Sequence, residues 1–309
     1  MPTKIKVIGL GGAGCNAVSR MASCRVKGIE LIAANTDAQD LKKARVNLKV
    51  RLGKALTGGL GTGMNPEIGR DAARESQQEL TEILRNTDML FLTCGLGGGT
   101  GTGASGVVAD IARSLGILTI AVVTLPFSFE GAERKKIAEQ GIADLQNKVD
   151  TLLVISNDKI FTVCGKDTSL KEAFWQVDEL LRQAVKGISD LIIMPGFINV
   201  DFADVKTIMR HGGQAMFGVG VASGEDRAKR AIEMALRSPF LDFSIEGSRG
   251  ILFNVSGAED LTLAEVQQAA ESLTEKLDPR VRVIFGAVRD PRLKKGEMKV
   301  TMIATRFRQ

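Results

Sequence analysis

The stretch that most constrains the fold is residues 97–103, which hold five glycines and two threonines between two apolar segments. Residues 89–93 before it are typical of a buried strand, and residues 107–112 after it have the spacing of a helix. A backbone without side chains can approach an anion closely, and the start of a helix adds the positive end of its dipole. The stretch therefore predicts a phosphate-binding loop, to which Thr100 and Thr102 add hydroxyl donors. The alternative is a glycine-rich turn without a ligand.

A second glycine motif, residues 9–14, has the pattern G-x-G-x-x-G between a predicted strand at residues 4–8 and a predicted helix. Asp37 follows the next predicted strand, where a dinucleotide enzyme has its ribose-binding carboxylate. Alone, this pattern favours an NAD-dependent oxidoreductase. Residues 58–63 add a third glycine loop, and three loops at the carboxyl ends of parallel strands suit a triphosphate better. The pattern G-x-x-x-x-G-K-[ST] does not occur, which excludes a P-loop enzyme.

The composition limits the number of domains, the location of the protein and the kinds of metal site. The 309 residues suggest two domains, and 44% hydrophobic with 25% charged residues is ordinary for a globular protein. No apolar run reaches the roughly 20 residues of a membrane span, and glycines interrupt the N-terminal apolar stretch, so we expect a cytoplasmic protein. Four scattered cysteines predict reduced thiols rather than a zinc site. The single histidine, His211, excludes His-rich metal sites and most triads with a histidine base.

Basic residues crowd one segment of a chain whose formal net charge is +5. Such a run is typical of a solvated surface, and the alternative is contact with an acidic partner, nucleic acid or anionic lipid. With no tyrosine and one tryptophan, a base-stacking surface is poorly supported, so we predict no nucleic-acid partner. The segment contains Lys42, Lys43, Arg45, Lys49, Arg51 and Lys54.

Predicted strands and helices alternate over residues 1–168, which favours an α/β domain with a doubly wound parallel sheet. Residues 169–193 predict one long helix, in which Ser169 is the N-cap and Glu172 completes a capping box. Because this helix has more apolar positions than a surface helix, we expect it to run centrally between two domains. Residues 194–309 predict a smaller α+β domain with a mixed sheet.

Two carboxylates and an amide follow the predicted long helix: Asn199, Asp201 and Asp204. Carboxylates at this spacing can hold a cation or position an attacking water, and phosphoryl transfer requires little else from a protein beyond charge placement and Mg²⁺. The alternative is an ordinary helix start, with Asp201 as the N-cap and Asp204 in the first turn.

In their order along the chain, these motifs resemble the tubulin/FtsZ superfamily over residues 5–303. The most specific match is the glycine run at residues 97–103, which is similar to the signature loop of that superfamily. The resemblance implies the tubulin/FtsZ fold, in which a GTP-binding domain, a long core helix and a C-terminal α+β domain follow one another. Further matches are residues 11–18, 35–38, 126–131, 181–183, 187–192 and 199–204.

The resemblance also implies which residues bind GTP or GDP, with Mg²⁺ on the nucleotide phosphates. Asn16 and Asp178 would bind the guanine edge and Phe174 its ring, while Glu130 and Arg134 would contact ribose and phosphate. Asp178 suits guanine because a carboxylate accepts both N–H groups that guanine offers and adenine lacks. The expected phosphate-binding residues are Gly11, Gly12, Gly98, Gly99, Thr100, Gly101 and Thr102, with Gly61 and Gly63 near the γ-phosphate.

In the superfamily, the segment that contains Asn199, Asp201 and Asp204 enters the nucleotide site of the next subunit and promotes hydrolysis in trans. The resemblance therefore implies an assembly-dependent GTPase that polymerises head to tail and forms the cytokinetic ring at the division site. A cation near Asp201 and Asp204 is a further expectation. Thr62 and Met64 stand where bacterial relatives usually have alanine, which leaves open a regulator that assembles but hydrolyses weakly.

Expected partners are other copies of the chain, proteins of the division machinery and membrane tethers. Nothing after Gln309 resembles the flexible linker and terminal peptide through which the superfamily's division proteins bind such tethers. We therefore hypothesise that the basic segment at residues 42–54 replaces part of that contact by binding anionic membranes.

Overall fold

The structure is a computed structural model that describes residues 3–24, 28–160, 165, 167–194, 196–238 and 245–305. The chain divides into two compact units, Met1–Lys186 and Gly187–Gln309. The division falls within the helix Leu170–Ile193. The three-part division expected from the sequence, at residues 168 and 193, stays a prediction.

The first unit has a parallel sheet with these strands: β1 (Ile5–Leu10), β2 (Ile29–Asn35), β3 (Leu48–Arg51), β4 (Met89–Gly95), β5 (Leu118–Leu125) and β6 (Thr151–Ser156). Their order is β3-β2-β1-β4-β5-β6, and all pairs are parallel, which confirms the predicted doubly wound sheet. Nearly all residues of β1 and β4 are buried, as expected for a sheet covered on both faces. The strand order reverses between β1 and β4, which leaves a crevice at their carboxyl ends.

The helices of this unit are α1 (Gly11–Ser23), α2 (Ala38–Lys43), α3 (Pro66–Glu75), α4 (Gln77–Leu84), α5 (Gly99–Ser114), α6 (Ala132–Gln146) and the first part of α7 (Leu170–Ile193). Pro66 is the first residue of α3, a position that suits proline because the first helical N–H group has no acceptor within the helix. The helical spacing of apolar residues over residues 71–84 belongs to two helices, because the chain turns at Ser76. The short helix α2 was not predicted, and Asp37 is its N-cap, accepting from the backbone N–H groups of Gln39 and Asp40.

The prediction that the glycine motifs at residues 9–14 and 97–103 are loops was wrong. Helix α1 already begins at Gly11 and helix α5 at Gly99, so most of each motif lies in the first turns of a helix. Glycine is required there because the helix starts pack against neighbouring backbone. A Cβ on Gly101 would lie 2.6 Å from the carbonyl oxygen of Gly95. Glycine thus lets both helices begin directly at the ends of β1 and β4.

Helix α7 begins as predicted. The Ser169 hydroxyl accepts a hydrogen bond from the backbone N–H of Glu172 at 3.2 Å, as an N-cap does. Ala173, Val177 and Leu181 are buried at helical spacing along its first half. Neither this helix nor any other in the described residues is both long and apolar enough to span a bilayer.

The second unit contains β7 (Gly196–Ile198), α8 (Phe202–Met209), β8 (Gly213–Ser223), α9 (Arg227–Leu236), β9 (Gly250–Gly257), α10 (Leu263–Thr274), β10 (Arg282–Arg289) and β11 (Glu297–Thr305). Strands β9 and β10 are parallel and the other pairs antiparallel, which confirms the predicted α+β unit with a mixed sheet. Sequence reasoning missed β8, in which Gly213, Gly218 and Gly220 weaken the strand pattern.

A buried arginine joins three segments of the second unit. Arg227, the first residue of α9, is 5% exposed. Its guanidinium donates to Glu265 at 2.6 and 2.9 Å and to the carboxylate of Asp260 at 2.8 Å. Asp260 also accepts from the backbone N–H of Gly296 at 2.9 Å. Hydrogen bonds from Arg227 lower the pKa of Glu265 to about 2.

We expect Arg227→Met to destabilise the protein by roughly 3 kcal/mol, because it leaves two carboxylates without their cation. The measurement is the urea unfolding midpoint, with Arg230→Met as the control, since Arg230 is exposed on the same helix. The lowered pKa of Glu265 stabilises the fold above its ordinary pKa of 4.5, and this contribution is lost as pH falls towards 2. The difference in unfolding midpoint between wild type and Arg227→Met should therefore shrink in acid. If both proteins lost the same stability on acidification, the interpretation would be contradicted.

Candidate functional site

A cavity of about 410 Å³ lies at the carboxyl ends of β1 and β4, where the strand order reverses. Ligands of doubly wound sheets bind in this crevice. The structure thus brings together residues that are far apart in the sequence. The predicted nucleotide-binding residues that line the cavity are Gly11, Gly12, Gly98, Gly99, Thr100, Gly101, Glu130, Arg134 and Phe174.

Two helix N-termini meet at this cavity. Helices α1 and α5 have no side-chain hydrogen bond at their N-cap positions, Leu10 and Gly98, and neither has an acidic residue in its first turn. The first backbone N–H groups of a helix have no acceptor within the helix. Since no side chain caps them, these groups can donate to a ligand, and both dipoles favour an anion. The arrangement suits phosphate.

The two threonines of the glycine run at residues 97–103 lie in different environments. The Thr100 hydroxyl lies 2.6 Å from the hydroxyl of Thr36, and Thr100 lines the cavity. The Thr102 hydroxyl instead accepts a hydrogen bond from the backbone N–H of Gly97 at 3.0 Å, and Thr102 does not line the cavity. Thr102 therefore shapes the turn before α5 in this structure, and its role as a phosphate ligand stays a prediction.

The loop at residues 58–63 lies beside the same cavity. Gly61 and Gly63 have positive φ angles of 84° and 56°, and neither lines the cavity. Thr62 and Met64 line it instead, and the Thr62 hydroxyl lies 3.5 Å from that of Thr100. The two residues that depart from the expected alanines are therefore the ones that face the site.

An aromatic cluster and an ion pair form another wall. Phe127 packs edge-on against Phe174, with ring centroids 5.3 Å apart, and stacks on Phe129 at 5.0 Å. The Glu130 carboxylate accepts from the backbone N–H of Phe127 at 2.9 Å and from Arg134 at 2.5 Å. Phe174 remains 43% exposed, so its ring is open to a planar ligand.

Asn16 and Asp178, the predicted guanine ligands, do not line the cavity. Each follows a cavity-lining residue, Gly12 or Phe174, by four positions on the same helix. Residues four apart on a helix share a face, so both lie one turn beyond the cavity wall. Burial raises the pKa of Asp178 to about 7, and the charge of Arg20 acts in the opposite direction.

Arg20 connects α1 to α7 beside Asp178. Its guanidinium lies 3.7 Å from the ring centroid of Trp175, and its Nε donates to Glu179 at 3.4 Å. These contacts place the two helices next to each other one turn beyond Asn16. Asn16 and Asp178 therefore lie on two adjacent helices, on the same side of the cavity.

Sequence reasoning missed Asn157, which lines the cavity at the end of β6. Its side chain is 5% exposed, and its Oδ1 has no hydrogen-bond partner among the described residues. A buried acceptor without a donor is destabilising unless a ligand supplies one. The signal that could have identified Asn157 is its position, the first residue after a parallel strand.

The segment with the predicted catalytic residues lies in the second unit. Helix α8 begins at Phe202, with Asp201 at the N-cap position and Asp204 in the first turn, as the helix-start alternative predicted. Asn199, Asp201 and Asp204 are exposed, and the side chain of Asp201 makes no capping hydrogen bond. The neighbouring apolar residues Val200 and Val205 are buried. The segment is thus anchored by its valines and presents its polar groups to solvent.

The described residues contain no cluster of three or more histidine, cysteine, aspartate or glutamate side chains that could hold a metal ion. Asp201 and Asp204 supply only two carboxylates.

Comparison with known proteins agrees with this architecture. Residues 4–165 match the GTPase domain model of the tubulin/FtsZ family, and residues 213–308 match the C-terminal domain model of the FtsZ family. The chain is 50% identical over 302 residues to a cell division protein FtsZ of Azotobacter vinelandii, covering 97% of this chain and 76% of that protein.

Solved structures agree as well. An empty FtsZ dimer from M. jannaschii superposes with a TM-score of 0.94 at 47% identity, covering 99% of this chain and 89% of that chain. A GTPγS-bound protofilament of CetZ2 from Haloferax volcanii has a TM-score of 0.81 at 21% identity, covering 98% and 94%, and shows the same fold. By its sequence, both matched domains and its fold, the chain belongs to the tubulin/FtsZ family.

Proposed function

We propose that this chain, a GTPase of the tubulin/FtsZ family, polymerises head to tail into protofilaments of the cytokinetic ring at the division site. The observation that carries the proposal is the cavity between the uncapped starts of α1 and α5. The relatives support it, since one is a cell division protein, another was solved as a dimer and a third as a protofilament. The oxidoreductase alternative loses its support, because the same glycine motif lies within the matched GTPase domain.

The nucleotide phosphates would bind where the two helices begin. The backbone N–H groups of residues 11–12 and 98–101 would donate to phosphate oxygens, and Thr100 would add its hydroxyl. Arg134, which is paired with Glu130 and partly exposed, would contribute a cation. Bound Mg²⁺ would neutralise phosphate charge, and the lack of a protein cage in the described residues suits an ion held mainly by the nucleotide.

The guanine base would lie against Phe174 and towards α1 and α7. The carboxylate of Asp178 would accept both N–H groups of the guanine edge, and Asn16 would pair from the facing helix. The orphaned Oδ1 of Asn157 is an acceptor that a nucleotide donor would satisfy. Adenine lacks the paired donors, so ATP would leave Asp178 without partners in a partly buried site.

Hydrolysis would require a second subunit. The carboxylates of Asp201 and Asp204 are exposed and free of capping bonds, which suits groups that act on another molecule. In a head-to-tail polymer this segment would meet the nucleotide face of the next subunit, and such a contact propagates when it does not close into a ring. The carboxylates would then orient the water that attacks the γ-phosphate.

A filament-forming regulator with weak hydrolysis is the second candidate. The observation that favours it is that Thr62 and Met64 line the cavity, where smaller side chains were expected. Asn199, Asp201 and Asp204 favour the hydrolytic proposal. GTP turnover of the polymerised wild-type chain distinguishes a weakly hydrolysing regulator from an assembly-dependent GTPase.

We expect the dissociation constant for GTP to rise about tenfold for each pH unit below about 7, because only ionised Asp178 accepts both guanine donors. The measurement is calorimetric titration with GTP between pH 6 and pH 8. Asp178→Asn should bind GTP more weakly and lose this dependence, while the titration of the phosphates affects both proteins equally. The same pH dependence in wild type and variant would rule out Asp178 as its source.

Replacing Asn157 tests the orphaned acceptor. Asn157→Leu keeps approximately the same shape and removes the amide, so the free energy of unfolding of the nucleotide-free protein should stay within about 1 kcal/mol of the wild-type value. GTP should bind about tenfold more weakly, because one hydrogen bond is lost. Unchanged GTP affinity would show that the acceptor does not contact the nucleotide.

Replacing Asp204 tests completion in trans. Wild-type turnover per subunit should rise above a critical concentration, and Asp204→Ala should pellet with GTP but lose about a hundredfold in turnover. Glu275→Ala is the matched control, since it removes an exposed carboxylate elsewhere in the second unit.

A mixture separates action in trans from action within one subunit. Asp204→Ala has an intact pocket, and Asp178→Ala has an intact catalytic segment. In an equal mixture, about a quarter of the contacts between subunits would join an intact pocket to an intact segment, and these contacts should regain activity. The control is that the two variants pellet together. Copelleting without any recovered turnover would contradict completion in trans.

A further inference from the structure

We propose that the edge of the first sheet carries a second binding surface, one for anionic lipid bilayers. We call this surface the basic edge. It lies on α2, on β3 and on the segments that follow them. Its members are Lys42, Lys43, Arg45, Lys49, Arg51 and Lys54.

The basic edge is short of compensating charge. No acidic residue occurs between Asp40 and Glu67 in the sequence. Lys43 lies 4.0 Å from Asp40, and Lys54 lies 3.0 Å from Glu79.

The other basic side chains of this edge have fewer carboxylates near them. Hydrogen bonds from the backbone of Ala55 and Leu56, with the nearby charges of Arg51 and Lys54, lower the pKa of Glu75. Lys42, Arg45 and Lys49 are all exposed, and none has an ion pair with a carboxylate in the described part of the chain. These three charges are therefore available to an external anion.

The structure brings these three residues to one side of the sheet. Strand β3 lies at the edge of the sheet, where it pairs with β2. The Lys49 ammonium donates to the backbone carbonyl of Lys42 at 2.9 Å, so α2 and β3 present adjacent basic side chains. Arg45 lies between them in the sequence and is anchored through its backbone N–H to the hydroxyl of Ser19 at 2.9 Å.

This surface is separate from the nucleotide site. None of the six basic residues lines the phosphate cavity. Lys49 lies near the amino end of β3, whereas the cavity lies at the carboxyl ends of the parallel strands. A bound nucleotide would therefore leave the three charges exposed.

A lysine on an edge strand also prevents sheets from pairing edge to edge, which by itself would explain Lys49. That explanation does not extend to Lys42, on a helix, or to Arg45, in the connection. The clustering of all three therefore needs a further reason, and binding of an anionic surface supplies one.

The chemistry of the surface favours lipid over nucleic acid. No aromatic residue precedes Phe91 in the sequence, so the basic edge has no ring on which a base could stack. Leu56, two residues after Lys54, is 52% exposed and can enter the headgroup region, as apolar side chains beside basic ones do. Each basic side chain near an anionic membrane raises the partition coefficient about fivefold.

Polymerisation would strengthen this contact, and this step rests on the proposed function. A head-to-tail filament repeats the basic edge once per subunit along one side. Several weak contacts then act together, so filaments should bind vesicles more tightly than single subunits do.

The test is flotation of the GDP-bound chain, which does not depend on polymerisation, with phosphatidylglycerol or phosphatidylcholine vesicles. We expect binding to the anionic vesicles only, with loss at high salt. The triple variant Lys42→Gln, Arg45→Gln, Lys49→Gln should reduce the partition coefficient on the order of a hundredfold. The matched control neutralises three exposed lysines of the second unit, Lys276, Lys294 and Lys295, and should stay within about twofold of wild type.

Equal binding to both vesicle types would overturn the proposal, as would an equal loss in the two triple variants. Duplex DNA and polyglutamate serve as competing anions in the same assay. Tighter binding of either one than of anionic vesicles, lost in the first triple variant, would assign the basic edge to that partner instead. GTP turnover of both triple variants reports separately on the proposed function.

Discussion

The structure depends on the close contact between the starts of α1 and α5 at the carboxyl ends of β1 and β4. Side chains do not fit at this contact: a Cβ on Gly11 would lie 3.0 Å from the backbone nitrogen of Gly101, and a Cβ on Gly101 would lie 2.6 Å from the carbonyl oxygen of Gly95 at the end of β4. Without side chains, the first N–H groups of two helices face one cavity and have no cap to satisfy them. The same glycines therefore allow the helices to pack on the central strands and leave the crevice suited to the phosphate that we propose it binds.

The distribution of function between the two units follows from this contact. In the proposed mechanism, the first unit supplies the backbone that binds phosphate and a carboxylate, Asp178, whose burial raises its pKa to about 7. Its described residues supply no carboxylate cluster that could hold a metal ion. The second unit carries the exposed Asp201 and Asp204 beside buried valines. The groups proposed to bind the nucleotide and those proposed to promote its hydrolysis are thus separated along the chain. In the proposed mechanism, turnover therefore depends on assembly.

Much of the fold and the position of the candidate site could be predicted from the sequence. The parallel sheet follows from apolar strands that alternate with helices, and the position of the cavity follows from glycine motifs at strand ends. The boundaries of those motifs could not be predicted, because glycine is typical of loops and only tertiary packing makes it helical at Gly11 and Gly99. Asn157 was missed because a single asparagine has no motif, and its orphaned Oδ1 is visible only when the surrounding backbone is in place.

Equilibrium binding of GTP, ATP and NAD⁺ to the nucleotide-free chain tests the central claim most directly. Trp175 is the chain's only tryptophan and adjoins Phe174 at the cavity, so its fluorescence can report occupancy without a label. The account predicts saturable binding of GTP and at least about a hundredfold weaker binding of ATP and NAD⁺. Equal affinity for GTP and ATP, or preference for NAD⁺, would contradict the claim that two helix starts and Asp178 form a guanine-nucleotide site.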